Sequence, residues 1–245
     1  MPDQHLDPAV AATYDQRVAE RFDPAVLGAT VDRLAEFAAH GRALEFAIGT
    51  GRVALPLAAR GVEVHGIELS EPMLRQLRGK PEGDAIQVTT GDMTHALAPG
   101  RFSLVYLVFN TIGNLTSQAE QVACFRNAAR HLVPGGRFVI EVGVPDPPSR
   151  HDPNRFEVFD VSDSHVGVDE YPDGTDQVLV SHHVHPGADQ APRISGRFRY
   201  VWPSELDLMA QLAGMALEHR WGDWDRSPFT NRSPAHVSVW RLDPT

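Results

Sequence analysis

The stretch from Ala43 to Ala59 does most to limit what this chain can become. Residues 43–48 (ALEFAI) form an apolar run of strand length, Gly49-Thr50-Gly51 turns the chain, and residues 53–59 carry a helix that Gly61 ends. A buried strand turning on glycines into a helix is the opening unit of an α/β sheet, and the sequence repeats it. Residues 62–67 (VEVHGI) read as a second strand, and Ser70 reads as the N-cap of a helix over 71–78, with Pro72 in its first turn. Residues 85–89 and 102–108 read as the third and fourth strands. The fourth (FSLVYLV) is almost continuously apolar, as expected of a strand covered on both faces. A helix over 117–131 turns Phe125 and Ala129 toward the core, and Pro134-Gly135-Gly136 leads into a fifth strand over 137–142 (RFVIEV). Strands alternating with helices specify an α/β, doubly wound, mostly parallel sheet with helices on both faces. Its ligand site lies outside the carboxyl ends of the strands.

Flanking segments complete the layout. Residues 8–22 place Val10, Tyr14, Val18 and Phe22 at helical spacing, and residues 24–39 carry a second stripe through Val31, Leu34 and Phe37. Residues 1–40 therefore read as an N-terminal helical cap. From 143 the composition turns to Pro, Asp and Arg, and FEVFDV, SHVGVDE, QVLVSHHVH and RFRYVW within 156–202 alternate as antiparallel strands. The segment 143–202 is thus a β-rich insertion, expected to form a lid over the acceptor site. A helix over 204–213 and strands over 215–221 and 235–242 return the chain to the core. The 245 residues suit a single domain, 1–245, with that insertion.

Charge and cysteine usage narrow the partners. With 22 Lys and Arg against 32 Asp and Glu, the formal net charge is −10, which repels a phosphate backbone; nucleic acid is not the expected substrate. Cys124 is the single cysteine, so there is no intrachain disulfide and no thiolate metal cluster, in keeping with a reducing cytoplasm. No segment reaches the ~20 apolar residues of a membrane span. The expectation is a cytoplasmic protein acting on a small molecule, as a monomer or a homodimer.

Polar residues fall at the strand ends where a ligand would sit. The Gly49–Gly51 turn lets a ligand approach the backbone, and the helix after it presents free N–H groups. Glu68, at the end of the second strand and 17 positions after Gly51, can accept both hydroxyls of a ribose. After the third strand, Asp92 can take an exocyclic amine while Met93 packs on the ring. Phe109-Asn110-Thr111-Ile112-Gly113-Asn114 closes the fourth strand with polar groups beside the reacting centre. Taken singly, each has a purely structural reading as a tight turn or a solvated carboxylate.

Together, LEFAIGTGR, GIELSEPML, TTGDM and LVPGG resemble the class I S-adenosylmethionine-dependent methyltransferases over roughly 42–142, and the likeness resumes at 199–242. The segments RYVWPSELDLMAQLAGM and WGDWDRSPF look like a bacterial, actinobacterial branch of small-molecule enzymes. The resemblance implies a seven-stranded Rossmann-like sheet, S-adenosyl-L-methionine as cofactor, and methyl transfer to an N or O atom of a metabolite, a biosynthetic intermediate. It implies that Glu45, Ala47, Gly49 and Gly51 hold the methionine end. It also implies that Glu68 binds the ribose, that Leu69 and Met73 flank the adenine, and that Asp92 and Met93 recognise it. Phe109 and Asn110 lie beside the reacting centre, and Tyr14 closes over the cofactor. The chain departs from the pattern at Ala47, where the first loop residue is usually Gly.

Two rival readings accompany this one. Gly49-Thr50-Gly51-Arg52-Val53-Ala54 also satisfies the G-x-G-x-x-A pattern of an NAD site. Against it, Glu45 would set negative charge near a pyrophosphate, the Gly91-Asp92 pair has no part in hydride transfer, and the last two strands read as an antiparallel pair. The other rival is a fold relative that binds the cofactor without transferring methyl, prompted by Ala47 and the lack of an evident base. For a base, His183 is the candidate: it shares a face with His185 in one strand of the insertion. No carboxylate accompanies that pair, so no metal is expected. Arg199, Tyr200 and Trp202, just before the helix at 204, are candidates for the acceptor wall.

Overall fold

The computed structural model describes residues 7–148, 155–162, 165–173, 175–184 and 194–244. His185 lies outside them.

Seven strands form the central sheet: β1 (Ala43–Phe46), β2 (Val64–Glu68), β3 (Gln87–Thr90), β4 (Phe102–Leu107), β5 (Leu132–Gly143), β10 (Met215–Trp221) and β11 (Ala235–Leu242). Their order is β10-β11-β5-β4-β1-β2-β3, and β11 alone runs antiparallel to its neighbours. The order reverses between β1 and β4, both at the centre, which opens a crevice at their carboxyl ends. Apolar side chains of β4 divide between the faces. Leu104 and Tyr106 join one cluster with Val31, Leu34 and Leu57, while Val105 and Leu107 join the other with Phe125, Phe138 and Trp240. Burial on both faces is why that strand shows no polar alternation.

Helices α2 (Pro24–Ala38), α3 (Ala54–Ala59) and α4 (Glu71–Arg78) cover the first face, and α5 (Gln118–His131) and α6 (Pro203–Leu212) the second. Capping sets where they begin. Ser70 Oγ accepts the Met73 N–H, and Ser117 and Glu120 form a reciprocal capping box at the start of α5. Cys124 of α5 is wholly buried, and burial pushes its thiol up.

The structure redraws three boundaries. The expected helix over 8–22 divides into α1 (Pro8–Arg17) and a 3-10 turn over Ala19–Phe22, because Val18 leaves helical geometry at φ −112°, ψ 27°. The Leu132–Gly136 turn is drawn into β5 as a bulged extension, with Leu132 opposite Phe102 and Arg137 opposite Leu104. The insertion is a separate antiparallel sheet, β6 (Phe156–Val161), β7 (Val166–Asp173), β8 (Val178–Val184) and β9 (Ile194–Arg199), in sequential order. Its last strand starts three residues earlier than RFRYVW indicates.

Candidate functional site

A cavity of about 390 Å³ opens at the carboxyl ends of β1, β2, β3 and β4. Its floor is the turn after β1, where Ala47 and Gly49 line it. Ala47 sits in the left-handed region at φ 51°, where glycine rests without cost; alanine there carries ~1 kcal/mol of strain. Gly51 does not reach the cavity. Its φ is 78°, and a Cβ there would lie 2.4 Å from a Leu77 methyl, so this glycine serves close packing of the turn on α4.

Glu68 is buried at the end of β2. One carboxylate oxygen accepts the Gly49 N–H at 2.8 Å and the other accepts the Ser70 N–H at 2.7 Å, which ties the two turns together. Leu69, Met73, Asp92 and Met93 line the same side. Asp92 accepts the Thr94 N–H and hydroxyl through one oxygen, both at 2.7 Å. Phe109, Asn110, Thr111 and Asn114 carry the wall onward, Tyr14 of α1 covers it from above, and Phe198 of β9 joins the rim.

Glu45 lies one step deeper, in a side chamber of about 50 Å³ that Tyr14, Arg52, Phe109 and Thr111 also line. Its carboxylate accepts the Tyr106 hydroxyl at 2.9 Å. Complete burial, only partly offset by Tyr106 and Arg52, pushes its pKa up to about 8. The N-terminal cap is latched above the loop: Asp15 accepts from the Thr50 hydroxyl at 2.6 Å and pairs with Lys80 at 2.5 Å. A wider depression of about 480 Å³ between Arg101, Val133, Gly214 and Leu242 opens at the opposite, amino ends of the strands, away from these groups.

Besides Gly51, four candidates fall elsewhere. Arg199 is 4 % exposed and spends its guanidinium on Gln121, Gln177 and Glu205, at 2.5, 2.9 and 3.0 Å. It is a clamp between β9, α5 and α6, so the acceptor-wall reading is corrected. Tyr200 packs on Tyr171, ring centroids 6.1 Å apart, and Trp202 is the exposed N-cap residue of α6; neither lines the cavity. Their neighbour Phe198 does, since alternation along β9 turns it the opposite way from Arg199. His183 is paired through Nδ1 with His165 Nε2 at 2.9 Å, and His165 Nδ1 faces the Asp160 carboxylate at 2.5 Å. Its cross-strand partner is Ile194, four residues from Phe198, about 13 Å at 3.3 Å per residue. That is beyond the hydrogen-bond reach a general base at the cavity needs.

Sequence reasoning missed Leu115, Thr116, Glu120 and Phe198. The start of α5, which follows β4, lies at the same sheet end as the other motifs, and that rule could have found Glu120. Nothing local distinguishes Phe198. Among the described residues no group of three or more His, Cys, Asp or Glu is placed to hold a metal ion, and no helix is long and apolar enough to cross a membrane.

Comparison with known proteins adds the following. A family model described as a methyltransferase domain matches residues 43–136. The structure of the CcbJ methyltransferase from Streptomyces caelestis is 38 % identical, with 88 % of each chain covered and a TM-score of 0.78. A cypemycin N-terminal methyltransferase from a Streptomyces species is 27 % identical over 93 % of this chain and 95 % of that protein. A dTDP-3-amino-3,6-dideoxy-alpha-D-glucopyranose N,N-dimethyltransferase from Streptomyces fradiae is 39 % identical over 40 % of this chain and 38 % of its own length.

Proposed function

The chain belongs to the class I S-adenosylmethionine-dependent methyltransferases, and from that premise we propose that its acceptor is an amine of a small biosynthetic intermediate or short peptide. The observation that carries this reading is the cavity itself. One side has Glu68 and Asp92, suited to a ribose and an adenine, and the other has Asn114 and Glu120, whose carboxamide oxygen and second carboxylate oxygen can accept from an amine N–H, the first Glu120 oxygen being held by Ser117. The cypemycin enzyme and the amino-sugar dimethyltransferase, by their names, both act on amino groups.

The residues present fit the cofactor. A volume of about 390 Å³ is in the range of a small-ligand site. The Glu45 carboxylate, buried with one side-chain donor, would gain from the cofactor's ammonium group. When bound, S-adenosylmethionine supplies an electrophilic methyl group on its sulfonium. The protein's own work is to orient: Glu68 and Asp92 fix the nucleoside, Glu45 the amino-acid end, and Tyr14 with the described part of the N-terminal cap shuts out water. The 143–202 insertion, entering through Phe198, would form the acceptor-side lid. A neutral amine needs no strong base in such a displacement, whereas a hydroxyl does.

The test is calorimetric binding of S-adenosylmethionine, with NAD as control, followed by an acceptor screen of matched amines and alcohols. Wild type binds the sulfonium cofactor and not NAD. Glu68→Ala weakens binding by ~1 to 3 kcal/mol, the scale of a lost charged hydrogen bond. Transfer to alcohols in preference to their amine analogues would refute the amine assignment.

A further inference from the structure

β4 ends in an unusual conformation. Phe109 and Asn110, consecutive and neither of them glycine, both occupy the left-handed region at φ 60° and φ 58°. Asn tolerates that region but Phe is strained in it, and the consecutive pair persists only where the surroundings impose it. Here the surroundings come from β5. The Glu141 side chain accepts the Phe109 N–H at 3.1 Å, and the Glu141 backbone carbonyl accepts the Asn110 N–H at 3.2 Å. The Asn110 carboxamide oxygen in turn accepts the Gly143 N–H. One residue of the neighbouring strand thus receives two successive N–H groups that the turn has pulled out of the β4 ladder.

What the turn presents is the partition between the main cavity and the side chamber. Phe109 lines both. The Arg21 and Arg52 guanidiniums both lie over its ring, 5.2 and 5.1 Å from the centroid, so it also joins the N-terminal cap to the loop after β1. Asn110 then faces the acceptor side. A relaxed, extended backbone at these two positions would turn both side chains away from where they stand.

We propose that Glu141, which does not line the cavity, is a positioning residue: its carboxylate holds the Phe109–Asn110 turn in its left-handed form and so sets the boundary between cofactor and acceptor. The proposal rests on the reading of the cavity as the S-adenosylmethionine site. The carboxylate acts as a hydrogen-bond acceptor, not as a charge, so a carbonyl oxygen at the same point does the same work.

The experiment compares Glu141→Ala and Glu141→Gln with wild type. Calorimetry gives the S-adenosylmethionine Kd, and thermal unfolding gives Tm on the same samples. Glu141→Ala weakens binding tenfold or more while remaining folded at the assay temperature, and Glu141→Gln recovers most of the affinity through its carboxamide oxygen. A purely architectural Glu141 would lower Tm and leave the Kd of the folded protein within twofold of wild type, which overturns the proposal. Equal loss in both variants would make the charge responsible and overturn it too. Should Glu141→Ala be unfolded, Glu141→Gln read against Glu141→Leu, which keeps the bulk and removes the acceptor, decides by the same criteria. Failure of wild type itself to bind would instead sink the reading of the cavity.

Discussion

Glu45 shows how much of a residue's chemistry depends on its surroundings. Position alone marks it as acidic and next to the glycine turn. Its wholly buried carboxylate has a pKa raised from 4.5 to about 8. Between those two values the folded protein keeps a proton that the unfolded chain has lost. The group therefore favours folding fully at low pH, and that contribution is lost as pH rises through about 8. We expect the cofactor-free protein to lose stability between about pH 5 and about pH 9 relative to Glu45→Gln, measured as urea midpoints at each pH. Parallel curves for the two proteins would show that the carboxylate is ionised throughout. Glu68 is held differently: two backbone N–H groups, from Gly49 and Ser70, bond its carboxylate, whereas Glu45 takes the Tyr106 hydroxyl and a backbone hydrogen bond from Ala54. A sequence shows two glutamates near strand ends, and only the structure shows which groups each one bonds.

Elements were legible wherever their ends carry local chemistry. Ser70 caps the helix it announces, and the strands over 215–221 and 235–242 fall where their apolar patterns lie. The N-terminal helix was read too long because its stripe continues through Val18 and Phe22, which one 3-10 turn accommodates as well as an α-helix would. Arg199 was misread for a related reason: an arginine before a helix looks available, and only packing shows it spent on Glu205, Gln121 and Gln177. Removing one member of such a buried ion pair costs about 3 to 5 kcal/mol. Arg199→Ala should therefore lower the free energy of unfolding by about that much while leaving S-adenosylmethionine affinity near wild type. A loss below about 1 kcal/mol combined with a raised acceptor KM would return Arg199 to the acceptor wall.

At the scale of the whole molecule, two sheets meet at one cavity. The seven-stranded sheet supplies most of its wall, the side proposed for the cofactor, and the four-stranded insertion reaches it through Phe198 among the described residues. That division gives a separable outcome. Phe198→Ala should raise acceptor KM about tenfold, in line with exposing part of an aromatic contact, with S-adenosylmethionine Kd unchanged. Weakened cofactor binding in that variant would mean the insertion shapes both halves of the site. By itself the sequence determined the doubly wound sheet and the order of its units. Both follow from short-range rules: strand-length apolar runs, glycine turns and helix caps. The side proposed for the acceptor was decided only by tertiary structure. Whether Phe198 or Arg199 faces the cavity, how far His183 stands from it, and which strand braces Phe109 and Asn110 depend on registers between strands distant in the chain. A pattern with a period of two says that neighbours point opposite ways, and only the packed sheet says which way is in.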